Sequence, residues 1–254
     1  MLHPSKAGVA REAASVRAAL KALSRDAGAF DARRYFRGPA DLAFYNVGTK
    51  AMRALARSVH AAHKDDWTIG EAMALAAELM PDRHLEAKGV GIEVVARYRA
   101  AFTPRLLPEW KRWLAKNHST NWATTDAMCG MLIGPLLVAH PSLAPQMREW
   151  VRDRNLWVRR ASAVALIPLV RRGQALDLAY SVAKRLHADT EDLIQKAVGW
   201  MLREAGKSDE ARLERYLRAN GPSIPRTTVR YAIERFPIAR RRALLAATRG
   251  RSDQ

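Results

Sequence analysis

The chain has a single cysteine, Cys129, among its 254 residues. One cysteine excludes an internal disulfide framework, and this composition is typical of proteins that fold in a reducing compartment. The basic residues near the N-terminus are not followed by the continuous apolar segment that a secretory signal requires. We therefore expect a cytoplasmic protein.

Long apolar runs, strand patterns and flexible linkers are also missing. No apolar run approaches the roughly 18 residues that a membrane-spanning helix needs, so we expect no membrane partner. Apolar residues recur at steps of three and four instead of alternating, which predicts helices almost throughout. Because the sequence has no Gly/Ser linker and no low-complexity tract, we expect one superhelical domain.

The usual signatures of cofactor-dependent catalysis are absent as well. The sequence contains no P-loop and no Gly-rich dinucleotide turn. Its seven histidines form no pattern that indicates a zinc site, and Cys129 has no recognisable histidine partner. We therefore expect no cofactor and no metal, so that any catalysis would use side chains and water alone.

Acidic residues are scarce relative to basic ones. The chain has 25 Asp and Glu against 43 Lys and Arg, a formal net charge of +18. Such an excess indicates a polyanionic partner, with nucleic acid as the leading candidate. An acidic membrane surface and an acidic protein are the alternatives. Because 48% of the residues are hydrophobic, the chain can still bury a sizeable core.

A helical motif with cations and tryptophans recurs along the chain. It reads RNLWVRRA at residues 154–161 and DLIQKAVGW at residues 192–200. A period of about 35 residues indicates a solenoid of stacked helix pairs. Since each pair packs on its neighbours, equivalent helices are expected to line one concave wall and to present their cations there. The equivalent positions, about 37, 34, 37 and 35 residues apart, are Lys88, Thr125, Arg159, Lys196 and Tyr231.

Trp122 and Asp126 are the first candidate site residues. They are four residues apart, so on a helix they share one face, about one turn from each other. A carboxylate beside an indole can stabilise a developing cation or orient a water molecule. The alternative is that Trp122 packs in the core and that Asp126 is a solvated or helix-starting acid.

Arg159 and Arg160 are candidates for phosphate binding. They are adjacent, so on a helix their side chains point about 100° apart and cannot serve the same partner. A guanidinium suits a phosphate because its planar fork donates two parallel hydrogen bonds. We expect one arginine to contact a phosphate and the other to pair with an acid between helices. The alternative is that both are ordinary surface arginines.

In the next copy of the motif, Lys196, Trp200 and either Arg203 or Glu204 follow one another at about four-residue steps along one helix face. Lys196, Trp200 and Arg203 are further candidates for DNA contact. Gly199 lets another backbone or a ligand come close, at a cost of about 1 kcal/mol of helix stability relative to alanine. A nucleotide partner explains both the glycine and the neighbouring Trp200. The alternative is that the two residues serve helix packing alone.

Residues 154–161 and residues 194–204 (IQKAVGWMLRE) resemble the DNA alkylation repair glycosylases of the AlkD type, and the second segment is the more specific. Residues 44–50 (FYNVGTK) are similar to the aromatic-glycine stretch near the N-terminus of that family. The resemblance covers about residues 35–240. It implies an all-α fold, a right-handed α-solenoid of HEAT-like helix-pair repeats with a basic concave face. We expect residues 1–34 to form a helical extension and residues 35–254 to form the DNA-binding and glycosylase domain.

The resemblance also implies a function and a role for each candidate residue. The chain is expected to hydrolyse the N-glycosidic bond of N3- or N7-alkylated purines in duplex DNA, without enclosing the damaged base in a pocket as base-flipping enzymes do. Trp122 and Trp200 would contact the damaged nucleotide, in part through cation–π attraction. Asp126 would stabilise the oxocarbenium-like sugar and position the water. Arg160 would hold the phosphate, with Arg159 as the second choice.

Two other functions fit a basic solenoid. The first is a non-catalytic HEAT-like protein that recognises damaged or branched DNA. The second is a protein-interaction solenoid that recruits acidic partners, which predicts basic residues on both faces and no steep salt dependence of DNA binding. With duplex DNA as the expected partner, we predict a monomer without an obligate protein partner, associated with the nucleoid if the source is bacterial.

Overall fold

A computed structural model describes residues 6–26, 36 and 42–249 of the chain. Over these residues the fold is all-helical, as predicted, and the nearest approach to a sheet is an isolated bridge between Ala43 and His84. A π-helical turn, Cys129–Ile133, joins α6 to α7. In chain order the α-helices α1 to α15 are Lys6–Ala22, Gly48–His63, Ile69–Leu79, Leu85–Arg97, Leu107–Ala115, Trp122–Met128, Gly134–Ala139, Met147–Trp150, Leu156–Val164, Ile167–Val170, Leu176–Leu186, Asp192–Gly206, Glu210–Asn220, Arg226–Ala232 and Ile238–Ala247.

The chain divides into two compact units, Met1–Leu136 and Leu137–Gln254. The division falls inside α7, so the sequence has no Gly/Ser linker at this boundary. The domain boundary that we predicted between residues 34 and 35 lies outside the described residues. That domain division stays a prediction.

Helix α4 is the centre of the first unit. It packs against α1, α2, α3 and α6, and nine of its thirteen residues are buried. Most of the buried residues of α4 are apolar, Val90, Ile92 and Val94 among them, and this composition suits a helix at the centre of a core. Helix α3 begins at a capping box in which the side chain of Thr68 accepts from the backbone of Gly70 and Glu71 accepts from the backbone of Thr68.

One stretch of the first unit extends to the unit boundary and beyond as a continuous helical segment. Trp122–Ala139 has 18 residues and a mean hydropathy of 1.3, so among the described residues it is long and apolar enough to cross a membrane. Our expectation that no run reaches this length was therefore wrong. Half of the stretch is buried inside the protein, and core helices meet the same criteria, so it is weak evidence for a membrane partner.

Helix α12 is the centre of the second unit, and it packs against α9, α10, α11, α13 and α14. Its contact with α14 is close because Gly199 has no side chain. A Cβ atom at Gly199 would lie 2.8 Å from the carbonyl oxygen of Thr228 and would contact Cβ of Tyr231. The hydroxyl of Thr228 also donates to the carbonyl of Gln195, at 3.0 Å. The glycine therefore admits the backbone of a neighbouring helix.

Each of the five repeat positions lies on a helix. Lys88 and Thr125 are on α4 and α6, which pack together in the first unit. In the second unit, Arg159, Lys196 and Tyr231 are on α9, α12 and α14, and α12 packs against both of the others. Within each unit, therefore, successive repeat positions lie on helices in contact.

Candidate functional site

The indole of Trp122 lies in an aromatic stack in the first unit. Phe36 stacks on Trp122 with ring centroids 5.3 Å apart and an interplanar angle of 23°. Phe36 also stacks with Phe44, with ring centroids 5.6 Å apart and an interplanar angle of 29°. Because Phe36 covers one face of the half-buried indole, the plane of Trp122 is fixed by ring contacts.

A buried hydrogen-bond network fixes the start of α6, and with it the direction of Trp122. The side-chain oxygen of Asn121 accepts from the backbone N–H of Thr124 at 2.8 Å, which caps the helix. The amide of Asn121 donates to the carbonyl of Ser119 and to Thr124 Oγ1, each at 3.0 Å. The hydroxyls of Ser119 and Thr125 are also hydrogen-bonded to each other. Four polar residues therefore hold one helix end rigidly.

Asp126 lies one turn into α6, on the same face as Trp122, and is partly exposed. It is followed almost directly by the π-helical turn Cys129–Ile133. Such turns are rare and occur often at functional sites. Asp126 is therefore a partly exposed carboxylate one helical turn from the indole of Trp122.

Lys88 fastens the loop that leads into α6. Its buried ammonium donates to the carbonyls of Met80, at 2.6 Å, and His118, at 2.8 Å. Burial, and then the charge of Lys88, lower the pKa of His118 below its usual value. Lys88, the first of the repeat positions, therefore has a structural role: it holds the loop that positions α6.

In the second unit, Arg159 and Arg160 lie on α9 and have different surroundings. Arg159 Nε pairs with Asp189 Oδ2 at 2.8 Å, and Arg159 Nη1 donates to the carbonyl of Asp153 at 3.1 Å. Arg160 is buried, and its Nη1 donates to the carbonyl of Leu193 next to the start of α12. One arginine of the pair thus binds an acid between helices, as expected, whereas the phosphate contact stays a prediction.

Helix α12 carries the other candidates of the second unit. Trp200 is half-buried, and Lys196, one turn before it, pairs with Asp192 at 2.6 Å. Arg203 pairs with Glu234 and is mostly buried. In the second unit, therefore, each cation predicted to bind DNA either pairs with an acid or is buried. The spacing of these residues in the sequence does not reveal this.

Glu204 is the buried acid of this region. Burial raises its pKa, but hydrogen bonds from Arg171 and Lys207 outweigh burial and lower the pKa below the usual value. Arg171 Nε lies 2.8 Å and Lys207 Nζ 2.6 Å from Glu204 Oε2. The carboxylate thus stays ionised and ties α12 to its neighbours.

The structure brings Trp122 and Asp126 together in the first unit, and Arg159, Arg160, Lys196, Trp200 and Arg203 on the packed pair α9 and α12 in the second. Our reading of the sequence missed Phe36, although Phe44 lies in the aromatic-glycine stretch that we singled out. In the described part of the chain, no group of three His, Cys, Asp or Glu side chains is placed to hold a metal ion.

Comparisons with known proteins point to one family. The model of the family described as "DNA alkylation repair enzyme" matches residues 16–236. A solved structure, a predicted DNA alkylation repair enzyme from Enterococcus faecalis, is similar over 91% of this chain and 95% of that chain, with a TM-score of 0.67. The two sequences are 16% identical, so this likeness shows the fold alone. No curated protein matches the sequence significantly.

Proposed function

The chain belongs to the DNA alkylation repair enzyme family, and on that premise we propose that it is a DNA glycosylase. Its substrates would be N3- and N7-alkylated purines in duplex DNA, and it would act in the cytoplasm, associated with the nucleoid if the source is bacterial. The observation that carries the proposal is the carboxylate of Asp126, one turn from the fixed indole of Trp122. We further propose that the packed helices are HEAT-like repeats of a right-handed solenoid with a basic concave face.

The chemistry needs little acid catalysis. An N3- or N7-alkylated purine carries a positive charge, so the electrons of the C1′–N bond pass to the purine, which leaves as a neutral base. The sugar becomes oxocarbenium-like, and the negative charge of Asp126 stabilises it. Asp126 also accepts a hydrogen bond from the attacking water, whose oxygen bonds to C1′ while its proton passes to the carboxylate.

The remaining residues would bind the DNA around the lesion. The indole of Trp122, which stacks with Phe36, would contact the sugar and the cationic base. We propose a similar contact for Trp200. Arg160, or Arg159 in its place, would hold a phosphate, and Lys196 and Arg203 would contact the backbone.

The proposal is tested by the release of 7-methylguanine from a methylated duplex. We expect Asp126→Asn to lower the rate at least about 100-fold, since it removes both the charge and the base. Its DNA affinity should be equal or higher, because a negative charge has been removed. Asp177→Asn is the matched control, since it removes the same charge from a side chain that is 91% exposed.

The outcomes separate the candidate functions. Release at the normal rate by Asp126→Asn would show that Asp126 is not catalytic. No release by the wild type, together with tight and salt-sensitive binding, would indicate a non-catalytic protein that recognises damaged or branched DNA. Neither release nor binding would favour the protein-interaction solenoid.

A further inference from the structure

Helix α2 carries a row of cations on its exposed side. Lys50, Arg57 and Lys64, the last at the C-cap, are seven residues apart, so each lies about two turns beyond the one before. At 1.5 Å per residue, neighbouring members are about 10 Å apart along the axis and the row is about 21 Å long. All three side chains are exposed, and the helix contains no Asp or Glu. We name these three residues the α2 cationic row.

The charge of this row is only partly neutralised. Arg53, beside the row, pairs with Glu93 of α4 at 2.8 Å, and Asp65 and Asp66 directly follow Lys64. Within the described part of the chain, Lys50 and Arg57 have no ion-pair partner. The candidate cations of the second unit differ in this respect, since three of them pair with acids and the fourth, Arg160, is buried. The α2 cationic row therefore offers exposed positive charge that the candidate cations of the second unit do not.

The placement of Lys50 strengthens this contrast. It lies in the first turn of α2, where the helix dipole is itself positive, and no acidic residue or side-chain cap offsets either charge. A cation in the first turn lowers helix stability. An anion bound at this surface would account for a lysine in the first turn of α2.

The shape of α2 indicates which polyanion it fits. The face opposite the cationic row is turned into the unit, where Ala56 and Val59 are buried and α2 packs on α4. A membrane-surface helix needs an apolar face that can enter the lipid, whereas the apolar face of α2 is already packed against the unit. A duplex needs only a row of cations that reaches its phosphates. These observations favour nucleic acid over a lipid surface.

We propose that the α2 cationic row binds the phosphate backbone of duplex DNA. A strand carries one phosphate per 3.4 Å of helix axis, so the spacing of about 10 Å corresponds to about three base steps. The row thus adds phosphate contacts that Arg159, Arg160, Lys196 and Arg203 do not include. This inference rests on the proposed function in one respect only, that duplex DNA is the partner.

The experiment compares two triple variants with the wild type on an undamaged duplex. The first is Lys50→Gln/Arg57→Gln/Lys64→Gln, which keeps good helix formers in place. The control is Lys184→Gln/Arg185→Gln/Arg215→Gln, which removes three exposed cations from the second unit. The affinity is measured by fluorescence anisotropy at several salt concentrations, and far-ultraviolet circular dichroism verifies that both variants fold.

Each phosphate contact contributes about 0.9 to the slope of log K against log salt concentration, so losing three should reduce its magnitude by about 2.7. The control should keep the wild-type slope. An unchanged slope in the α2 variant, or an equal reduction in the control, would overturn the proposal. So would a loss of binding to phosphatidylserine vesicles without a change in DNA binding.

The slope and the glycosylase test fail independently. A reduced slope in a protein that releases no base would remove the glycosylase proposal and keep the α2 contact. Normal base release by the wild type with an unchanged slope in the α2 variant would keep the glycosylase proposal and remove the α2 contact. The single variants Lys50→Gln and Arg57→Gln should each reduce the slope by about 0.9.

Discussion

Replacing Gly199 with alanine is expected to lower the free energy of unfolding by about 2 kcal/mol. The new Cβ would lie 2.8 Å from the carbonyl oxygen of Thr228 and 3.3 Å from its Cα, and it would contact Cβ of Tyr231. These are atoms that no change of rotamer can move, so α14 has to shift as a whole. Overpacking of this kind costs about 1–3 kcal/mol, and the closeness of these contacts places Gly199 at the upper end. The helix propensity of alanine offsets about 1 kcal/mol.

Urea-induced unfolding, followed by far-ultraviolet circular dichroism, measures this loss. With an m-value of about 2 kcal/mol per molar urea, the midpoint of the transition should fall by about 1 M. Gly130→Ala is the matched control, because Gly130 is also in a helical turn and nothing lies within 4 Å of its Cβ position. That variant should be as stable as the wild type, or more stable by up to about 1 kcal/mol. A midpoint for Gly199→Ala equal to that of the wild type would refute the close contact of α12 with α14.

Two further predictions concern Phe36 and His187. In single-turnover assays, Phe36→Ala should slow base release roughly three- to tenfold, which is the equivalent of one aromatic contact, while Phe36→Tyr should keep the wild-type rate. Equal rates in the wild type and both variants would contradict a positioning role for Phe36. Burial, with a smaller contribution from Lys184, lowers the pKa of His187 from 6.5 to about 4, so the folded protein keeps this imidazole neutral where the unfolded chain protonates it. The free energy of unfolding should therefore fall by up to about 3 kcal/mol as the pH drops from 6.5 to 4. Urea titrations of His187→Gln across this range should show a weaker dependence, and an undiminished one would assign the effect to other groups.

The helices could be predicted from the sequence because they depend on local information. Apolar residues at steps of three and four specify a buried stripe, and each repeat position, from Lys88 to Tyr231, lies on a helix. The motif spacing likewise indicated that Trp122 and Asp126 share one helix face. These inferences needed only the period of the α-helix.

The partners of the site residues could not be predicted in this way. Phe36 stacks on Trp122 across 86 residues of chain, and Arg159 pairs with Asp189 across 30. Such contacts follow from how helices pack, and the packing depends on volumes and close approaches at many positions at once. Gly199 shows the difference: its sequence context allowed a ligand or a backbone nearby, and only the packed structure identifies the backbone of α14.

The net charge of +18 describes the whole chain, whereas DNA binding depends on which cations have no internal partner. Arg160 is buried and donates to the carbonyl of Leu193, so removing its side chain would also deprive a backbone oxygen of a donor. A loss of DNA affinity in Arg160→Ala would then combine lost folding with lost contact. Lys50 and Arg57 have no such second role, since their side chains are exposed and pair with no acid in the described part of the chain. We therefore expect their removal to change the salt dependence of binding without disturbing the core, so that the α2 variant tests the phosphate contacts separately from folding.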